Sequence, residues 1–529
     1  MKTQVYERLQ QVTRRGLARV EKLFDAAFGA RANPLYYLGT LAFFFFWVVV
    51  VSGIYLFLYF DTGTVTAFRS VEYLTREQWY IGGVLRSLHR YAADAMVLTM
   101  MLHLLREFAL DRYRGKRWFS WVTGVPLIWL VFFSGVNGYW LGWDRLSQYV
   151  AVATTEWIDW FGIFGQPIAR NFLDQASVSD RFFTLLVFLH IGIPLFLLAL
   201  TWLHMSRISR PRTGTPRPLV LGSLAALLLL AFIKPAVSQG PADLNTMPAA
   251  VSLDWFFLFV YPLFDRWGYG AVWALAGGLT LFVSALPWLA PRKAEPAAVV
   301  DPPNCNGCGR CFADCPYGAV VMQPHPDKPG HQLAAVNPDL CVSCGICAGA
   351  CPSSTPFRSA AELVTGIDMP QLSIHALRAR LDAALAQLRG PARVVVFGCD
   401  HAADVGALRE AGVATFSLLC AAQLPPSFVD YALQDGRADG VLVTGCDGAD
   451  CHFRLGNTWV EQRFTHEREP HLRTRAARER VRVAWAGVAD VERLRKELTA
   501  YRRELRLSTV EPSNEEPTRN SGMECAVNE

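Results

Sequence analysis

Apolar residues form long runs in the first 290 residues of the chain and only short runs after them. Six of the long runs predict membrane-spanning helices, because a bilayer core accommodates about 20 apolar residues of an α-helix. These runs cover residues 35–60, 83–108, 119–141, 181–206, 218–236 and 269–290, and the fifth is short for a crossing. Residues 5–29 combine helical apolar spacing with several basic residues. They predict either an amphipathic helix on the membrane surface or an ordinary solvated helix.

Beyond residue 290 the apolar runs are short and alternate with polar segments. Three β-type runs at 394–399, 414–420 and 440–446 each end in a cysteine, and helical patterns at 402–411 and 426–435 separate them. Strands that alternate with helices predict a small parallel α/β domain. The other predicted elements are a connecting helix at 371–390, a charged helix at 486–505 and a polar, disordered tail from about 506, in which Cys525 is incidental.

Charge is distributed in the way that membrane topology requires. Charged residues make up 18% of the chain and the net charge is +5, which does not suggest nucleic-acid binding. Seven Lys and Arg residues precede the first run, five lie in 106–117 and four in 207–217, against two each in 61–82 and 142–180. The positive-inside rule places the N-terminus in the cytoplasm, and six crossings return the chain there. We expect a multi-pass protein of a bacterial or archaeal inner (cytoplasmic) membrane.

Four histidines stand in two of the apolar runs, and they are the only histidines before His325. His89 and His103 are fourteen residues apart, and His190 and His204 repeat that spacing. Fourteen residues turn an α-helix through roughly 1400°, so both side chains lie on nearly one face, about 21 Å apart. The two helices run in the same direction, so His89 should face His190 near the outer surface and His103 should face His204 near the inner surface. Two axial nitrogens per site suit a haem iron; satisfied core histidines are the alternative.

Glycines repeat the same spacing in two neighbouring runs. Gly39 and Gly53 are fourteen residues apart in the first run, and Gly124 and Gly138 are fourteen apart in the third. A residue without Cβ lets another group come close, so these positions predict clearance for a bound haem. Ordinary packing of small residues between helices is the alternative.

All thirteen cysteines lie at or after Cys305, and eight of them form a doubled C-x₂-C-x₂-C-x₃-C-P pattern. This pattern predicts two [4Fe–4S] clusters, with the fourth cysteine of each run ligating the other cluster. The two expected ligand sets are Cys305, Cys308, Cys311 and Cys351, and Cys341, Cys344, Cys347 and Cys315. Zinc is the competing interpretation, but four ligands per ion give no reason for eight crossed cysteines. The segment resembles bacterial-type ferredoxins.

Residues 33 to about 290 resemble the cytochrome b subunit of the quinol-oxidising cytochrome bc and b–f complexes. The matching segments are ANPLYYLG, RSLHRYAADAMVLTMMLHLLRE, WVTGVPL, GVNGYWLGWDRLS and RFFTLLVFLH. The resemblance implies a haem b on each histidine pair. It also implies that Arg86 and Arg106 form salt bridges with haem propionates and that the protein is a homodimer.

The resemblance extends to an outer quinone site. The segment PADLNTMPAAVSLDWFFLF is similar to the loop before the family's Pro-Glu-Trp-Tyr motif, which here reads Leu253, Asp254, Trp255 and Phe256. In the family the carboxylate helps to take a proton from quinol, so the resemblance implies catalytic roles for Asp254 and Trp255. Quinol oxidation releases protons, and a buried carboxylate can accept one. The site is altered, because three of the four motif residues differ and Gly142 replaces the proline of the family's Leu-Pro-Trp-Asp word.

The strand-ending cysteines of the α/β domain predict a further redox centre. Parallel sheets carry their sites at the carboxyl ends of strands, so Cys399, Cys420 and Cys446 should gather at one edge, with Cys451 close behind. Four gathered thiols can ligate a [2Fe–2S] cluster; buried structural cysteines are the alternative. Residues 393–500 resemble the delta subunit of the methyl-viologen-reducing hydrogenase, best in ADGVLVTGCDGADCHFRLGN. The resemblance implies a [2Fe–2S] cluster on these cysteines and electron transfer to a flavin subunit of heterodisulfide reductase.

The expected fold is an all-α membrane bundle of about six helices, followed by a ferredoxin-like 2[4Fe–4S] domain and a small α/β parallel-sheet domain. The expected boundaries are an N-terminal amphipathic segment at 1–32, the membrane domain at 33–290, a linker at 291–304, the ferredoxin domain at 305–370, the α/β domain at 371–505 and the tail at 506–529.

The function expected from these parts is electron transfer in a quinone-linked oxidoreductase complex, as a subunit embedded in lipid. Electrons would pass among quinone, two haems b, two [4Fe–4S] clusters, one [2Fe–2S] cluster and a cytoplasmic flavoprotein, with coupling to membrane potential or electron bifurcation as further options. No Gly-rich nucleotide fingerprint is present, so a flavin (FAD) or NAD(P)H would bind to the partner. The alternatives are a simple quinone-reducing anchor of a hydrogenase, formate dehydrogenase or NAD(P)H dehydrogenase, and a redox sensor or scaffold.

Overall fold

The computed structural model describes residues 2–172, 179–248, 250–289, 295–359, 361–448, 450–473 and 480–510. Its first part is a bundle of α-helices. These helices are α1 Lys2–Phe28, α2 Leu38–Tyr59, α3 Thr66–Arg76, α4 Val84–Ala109, α5 Trp118–Leu141, α6 Arg145–Asp159, α7 Asp180–Met205, α8 Arg217–Ile233 and α9 Tyr261–Leu289. All six predicted runs are helical, while α3 and α6 lie in the connections between them and were not predicted.

Four segments are long and apolar enough to cross a membrane in the described part of the chain: Ala30–Tyr59, Gly115–Leu141, Asp180–Met205 and Tyr261–Leu289. The other two predicted crossings, which correspond to α4 and α8, do not meet this criterion of length and hydropathy. The helix α4 carries five charged residues, and α8 has 17 residues. At 1.5 Å per residue α8 spans about 26 Å, slightly less than a bilayer core of about 30 Å.

Within the bundle α4 packs against α2 and α8, and α5 packs against α7. The last helix, α9, begins eight residues before the predicted start at 269 and is interrupted at Gly268, where φ is +74°. This backbone conformation is one that glycine adopts without steric cost. The regular apolar part of α9 thus begins where the apolar run predicts it.

The second part is a small domain with two antiparallel strand pairs and two short helices. Strand β1 Val299–Val300 pairs with β4 Ile367–Asp368, and β2 Val320–Pro324 pairs with β3 Gln332–Val336. The short helices are α10 Arg310–Asp314 and α11 Ile346–Ala350, and each carries the third cysteine of its run, Cys311 or Cys347.

The third part is an α/β domain around a four-stranded parallel sheet of order β6-β5-β7-β8. The register pairs Val394 of β5 with Val413 of β6 and Gly440 of β7. Its elements are α12 Ile374–Gln387, β5 Val394–Cys399, β6 Val413–Leu418, α13 Pro426–Leu433, β7 Gly440–Gly445, α14 Gly456–Phe464, β8 Val481–Trp485 and α15 Val491–Val510.

The α/β domain differs from the sequence predictions in three features. The helix predicted at 402–411 is wrong: only a single 3₁₀ turn, Val405–Leu408, forms there, because the Asp404 side chain accepts a hydrogen bond from the Gly406 N–H at 2.8 Å and closes a tight turn. Strand β8 was not predicted. Helix α15 continues to Val510, past the predicted start of the tail at 506. The rest of the predicted tail, including Cys525, and linker residues 291–294 lie outside the described residues.

The second and third parts share one hydrophobic core. Buried residues of the small domain, among them Ile346 and Met369, pack in the same cluster as Val395, Phe397 and Phe428 of the α/β domain. The helical bundle has its own cluster around α2, α4, α5, α6 and α9. The small domain and the α/β domain therefore form a single packed body.

Candidate functional site

The two outer histidines face each other between α4 and α7. Their ring centroids are 6.1 Å apart, and the ring planes make an angle of 56°. His89 Nδ1 lies 3.0 Å from the carbonyl oxygen of Val49, and His190 Nδ1 lies 3.1 Å from that of Ser134. A ring that donates from Nδ1 to a carbonyl keeps Nε2 unprotonated, and this tautomer can bind a metal ion.

The two inner histidines, on the same helices, line one cavity of about 340 Å³. His204 Nδ1 lies 3.2 Å from Thr123 Oγ1, and His103 Nδ1 lies 4.0 Å from the Glu107 carboxylate. The structure thus brings the four histidines together in the two pairs, one above the other, that the fourteen-residue spacing predicts.

Each of the four predicted glycines lies against one of these rings. From an ideal Cβ to the ring Cε1, the distances are 2.8 Å for Gly138 and His190, 2.9 Å for Gly53 and His89, 3.2 Å for Gly124 and His204, and 3.5 Å for Gly39 and His103. Real Cβ atoms essentially never come within 3.0 Å of another atom, so a side chain at Gly138 or Gly53 would displace its histidine. The glycines therefore hold open the space in which the imidazoles lie.

This arrangement fits the ligation of an iron ion by two imidazoles. Two imidazole nitrogens, each about 2 Å from one metal ion, put the ring centres roughly 6 Å apart. The outer pair has this separation, at 6.1 Å. The donors, their separation and the glycines beside the rings therefore suit haem at the outer pair, and the inner pair offers two imidazoles on the wall of a cavity, each also with a glycine beside it.

The two arginines of the cytochrome b resemblance lie at the two levels of the histidine pairs. Arg86 Nη1 donates to Thr75 Oγ1 at 2.5 Å. Arg106 lines the inner cavity and pairs with Glu21 at 2.9 Å and with Asp450 of the α/β domain at 2.7 Å. Binding of haem propionates by Arg86 and Arg106 stays a prediction.

Asp254 is buried and lies in a polar cluster with Tyr139 and Arg90. Its carboxylate pairs with Arg90, the residue after His89, at 3.1 Å and accepts a hydrogen bond from the Tyr139 hydroxyl. The other carboxylate oxygen accepts the backbone N–H of Phe256 at 2.9 Å. Trp255 is 73% exposed. Sequence reasoning singled out Asp254 but missed Arg90 and Tyr139, although both lie in segments that carry the cytochrome b resemblance.

In the small domain, most of the thiols nearest to Cys311 and to Cys347 belong to the crossed set that the doubled pattern predicts for each of them. Burial, together with neighbouring thiols, raises the pKa of Cys311 to about 12 and that of Cys347 well above its usual value. For Cys311 these neighbours are Cys351, Cys308 and Cys305. For Cys347 they are Cys344, Cys341 and Cys315, followed by Cys311 of the other set. Thiols in such a setting bind iron by releasing their protons, so the donors suit two [4Fe–4S] clusters.

The four cysteines of the α/β domain form a closed ring of contacts, the four-thiol site. Cys420 and Cys446 are the two largest causes that lower the pKa of both Cys399 and Cys451, which requires the four thiols to lie close together. Cys399 ends β5, while Cys420 and Cys446 follow β6 and β7, so the carboxyl ends of three parallel strands supply them. Gly456 lies directly against Cys420 and Cys451, and a side chain there would push the thiols apart. The four-thiol site suits a [2Fe–2S] cluster.

Both the small domain and the α/β domain close the inner-histidine cavity. The small domain contributes Tyr317, Leu340 and Val342, and the α/β domain contributes residues 450–452 and Arg454. Tyr317 and Val342 also line a second, small cavity, whose other walls include the cysteine set Cys315, Cys341, Cys344 and Cys347. The inner histidines therefore have two neighbours, one ferredoxin-type site and the four-thiol site. Along the chain the ferredoxin-type cysteines precede the four-thiol site, whereas in space both lie next to the inner-histidine cavity.

The basic loops at 106–117 and 207–217, which predict the membrane topology, also form polar contacts with the small domain and the α/β domain. Arg112 pairs with Asp450 at 2.8 Å, and Arg117 donates to the Tyr317 hydroxyl at 3.0 Å. In the loop after α7, the Ser209 N–H donates to the Pro316 carbonyl at 3.0 Å. The helix α1 contributes Lys22, which pairs with Asp490 at 3.0 Å. Because α1, both loops and both domains lie together, they must share one side of the bundle.

Three family models match separate segments of the chain. The family described as cytochrome b/b6/petB matches residues 24–211, the 4Fe-4S dicluster domain matches 304–355, and the methyl-viologen-reducing hydrogenase, delta subunit matches 392–507. A chain of a solved structure titled "Hyperthermophilic respiratory Complex III" is similar at 23% identity, over 48% of this chain and 75% of that chain, with a TM-score of 0.39. The cytochrome b match ends before α8 and α9, and therefore before Asp254.

These matches define the class of the protein. The chain is a fusion of a cytochrome b-like helical domain, a dicluster ferredoxin domain and a hydrogenase-delta-like α/β domain, as the motifs predict. Cytochrome b segments carry haem b, and dicluster domains carry [4Fe–4S] clusters. The protein is therefore a membrane-embedded electron-transfer subunit.

A buried ion pair at the interface of the small domain and the α/β domain predicts a contribution to the free energy of unfolding. Asp314 and Arg463, whose side chains are 2% and 1% exposed, pair at 2.6 Å, and Arg468 adds a second contact at 2.5 Å. Asp314→Ala leaves the Arg463 charge in a dry interface without its carboxylate, which costs about 3–5 kcal/mol. We expect the iron–sulfur absorbance of the full-length protein to be lost at a clearly lower guanidinium concentration.

The matched control for this variant is Glu504→Ala. Glu504 also pairs with an arginine, Arg482, but its side chain is 57% exposed. Surface pairs of this kind contribute about 0–1 kcal/mol, so the control should unfold almost like the unmodified protein. Equal midpoints for the Asp314 and Glu504 variants would contradict the importance of the buried pair.

Proposed function

We propose that this chain carries electrons between the quinone pool and a soluble flavoprotein, with its N-terminus and iron–sulfur domains in the cytoplasm of a bacterium or archaeon. Two haems b are held by His89 with His190 and by His103 with His204. Two [4Fe–4S] clusters are held by the crossed cysteine sets, and one [2Fe–2S] cluster by the four-thiol site. Bound at these positions, the groups supply one-electron transfer steps across and out of the membrane.

The arrangement of the two histidine pairs carries this proposal. They lie at two depths on the same two helices, each ring has a glycine beside it, and the inner pair opens onto both iron–sulfur domains. A soluble redox function would have no use for two sites stacked through an apolar bundle. An isolated haem protein would have no use for cysteine sites on the cavity wall.

At the outer end the chain offers the groups that quinol oxidation needs. Asp254 is buried, accepts the Tyr139 hydroxyl and pairs with Arg90. As a carboxylate, Asp254 can take a proton from a quinol hydroxyl, and it is in direct contact with the Tyr139 hydroxyl and the Arg90 guanidinium. Arg90 directly follows His89 in α4, so the proposed proton acceptor pairs with the residue next to a ligand of the proposed outer haem.

An equilibrium redox titration of the purified full-length protein tests the cofactor content. Optical spectra should resolve two haem b transitions, and electron paramagnetic resonance should detect two [4Fe–4S] signals and one [2Fe–2S] signal. A protein that contains haem but lacks the [2Fe–2S] signal would contradict the assignment of the four-thiol site. A protein with one haem transition would contradict the assignment of the two histidine pairs.

A further inference from the structure

Asp450 occupies an unusual position between two of the sites described above. It lines the inner-histidine cavity and directly precedes Cys451 of the four-thiol site. Its carboxylate contacts two guanidinium groups of the helical domain, Arg106 at 2.7 Å and Arg112 at 2.8 Å. One carboxylate of the α/β domain thus joins α4 and the loop after it to a ligand of the four-thiol site.

All three side chains of this group are largely buried. The side chains of Arg106, Arg112 and Asp450 are 5%, 11% and 16% exposed. Charges that are shielded from water act over longer distances and more strongly than surface charges. A change of charge here should therefore be felt at both neighbouring sites, whereas a change on the protein surface should not.

The contacts also show why Asp450 carries a charge rather than a neutral side chain. Arg106 has a second acidic partner in Glu21 at 2.9 Å, and Arg112 has one in Glu107 at 3.9 Å. Asp450 is the acidic residue that both arginines contact. Without it, two guanidinium groups would face each other beside the inner histidines with less compensating charge.

We propose that Asp450 is a positioning residue shared by the inner-histidine cavity and the four-thiol site. It fixes Arg106 and Arg112 between the two sites, and its negative charge lowers the reduction potential of the groups bound at both. This inference rests on the proposed function, because it takes a haem at His103 and His204 and a cluster at the four thiols. A change of charge at Asp450 should therefore alter the reduction potentials at both sites together.

Two substitutions of opposite sign test the proposal in the full-length protein. Asp450→Asn removes a negative charge, so electron addition becomes easier and the potentials of the inner haem and the [2Fe–2S] cluster should both shift upward. Arg112→Gln removes a positive charge, so both potentials should shift downward. The outer haem should shift less in each variant, because it lies about 21 Å farther along the helices. The readout is a redox titration followed by optical and electron paramagnetic resonance spectra.

The sign reversal separates an electrostatic role from a structural one. A variant that merely loosens the domain would not move the potentials in opposite directions for Asp450→Asn and Arg112→Gln. Asp450→Glu, which keeps the charge, should restore the potentials of the unmodified protein. Glu504→Gln, which removes an exposed charge from the same domain, should leave all potentials unchanged.

The outcomes distinguish failure of this inference from failure of the proposed function. If the unmodified protein lacks an inner haem or a [2Fe–2S] signal, the proposed function is wrong and this inference is wrong with it. If both signals are present but neither variant shifts them, or only one of the two centres responds, the inference alone is overturned. If Asp450→Asn loses its cofactors, the other two variants still decide the question. The proposal predicts lower reduction potentials for Arg112→Gln and unchanged reduction potentials for Asp450→Glu.

Discussion

Gly138→Leu is expected to abolish the outer haem and leave the inner one. A Cβ at this position lies 2.8 Å from His190 Cε1, so a leucine must push the ring out of its position. Haem content should fall to about half, as in His190→Leu, which removes an axial ligand directly. Quantification of haem in the purified protein, together with a titration that changes from two transitions to one, measures the effect.

A glycine on the same helix as His190 provides the matched control. An added Cβ at Gly192 meets no atom within 4 Å. Gly192→Leu should therefore keep both haems and both transitions. Full haem content in Gly138→Leu would contradict the assignment of this glycine, and loss of both haems would show that the effect is global misfolding rather than a local displacement of His190.

Asp254→Asn is expected to slow the reduction of the haems by quinol by about 100-fold or more, which is the usual contribution of a positioned proton acceptor. The amide cannot take the proton, and it leaves Arg90 without its carboxylate partner. Haem and iron–sulfur spectra should stay unchanged, because Asp254 is not a ligand of any predicted centre. Stopped-flow mixing of the oxidised protein with a soluble quinol analogue measures the rate.

Two further variants make this experiment specific. Asp254→Glu keeps the carboxylate and should retain most of the rate. Asp243→Asn changes an exposed carboxylate whose side chain contacts Asn245 and Thr246, and it should have no effect. An Asp254→Asn protein that is reduced at the unmodified rate would contradict a proton-accepting role for Asp254 and would leave the outer quinone site without its predicted residue.

The parts of the structure that depend on local spacing could be predicted from the sequence. The histidine pairs and their glycines follow from the helical period, which brings residues fourteen apart onto one face. The four-thiol site follows from the rule that parallel strands gather their carboxyl ends at one edge. In both cases the sequence neighbours of each residue determine where it lies, and the structure places His89 opposite His190 and Cys399 beside Cys420 and Cys446.

The parts that depend on the packing of separate domains could not be predicted in this way. Asp450 meets Arg106 and Arg112 only because the α/β domain folds back onto the basic loops of the helical domain. No period or motif in the sequence encodes that approach. The same limit applies to Arg463 and Asp314, a pair that joins two domains and appears in the sequence as two ordinary charged residues.

The folding back of the α/β domain also bears on the route of electron transfer. The order along the chain suggests a line from haem to ferredoxin domain to α/β domain. In the structure Cys451 and His452 line the same cavity as His103 and His204, and Tyr317 separates that cavity from a ferredoxin-type site. The small domain and the α/β domain are therefore both adjacent to the inner histidine pair, so the order of domains along the chain does not define an order of electron transfer.

Electron exchange between the haems and the iron–sulfur centres is tested by the oxidation of the fully reduced protein by quinone. We would reduce the full-length protein in lipid nanodiscs, mix it with a quinone analogue, and follow the haems optically and the iron–sulfur centres by freeze-quenched electron paramagnetic resonance. We expect the haems and the iron–sulfur centres all to be oxidised, and in His103→Leu we expect the iron–sulfur centres to stay reduced. Haems that are oxidised while the iron–sulfur centres of the unmodified protein stay reduced would contradict the account, because the two halves of the chain would then not exchange electrons.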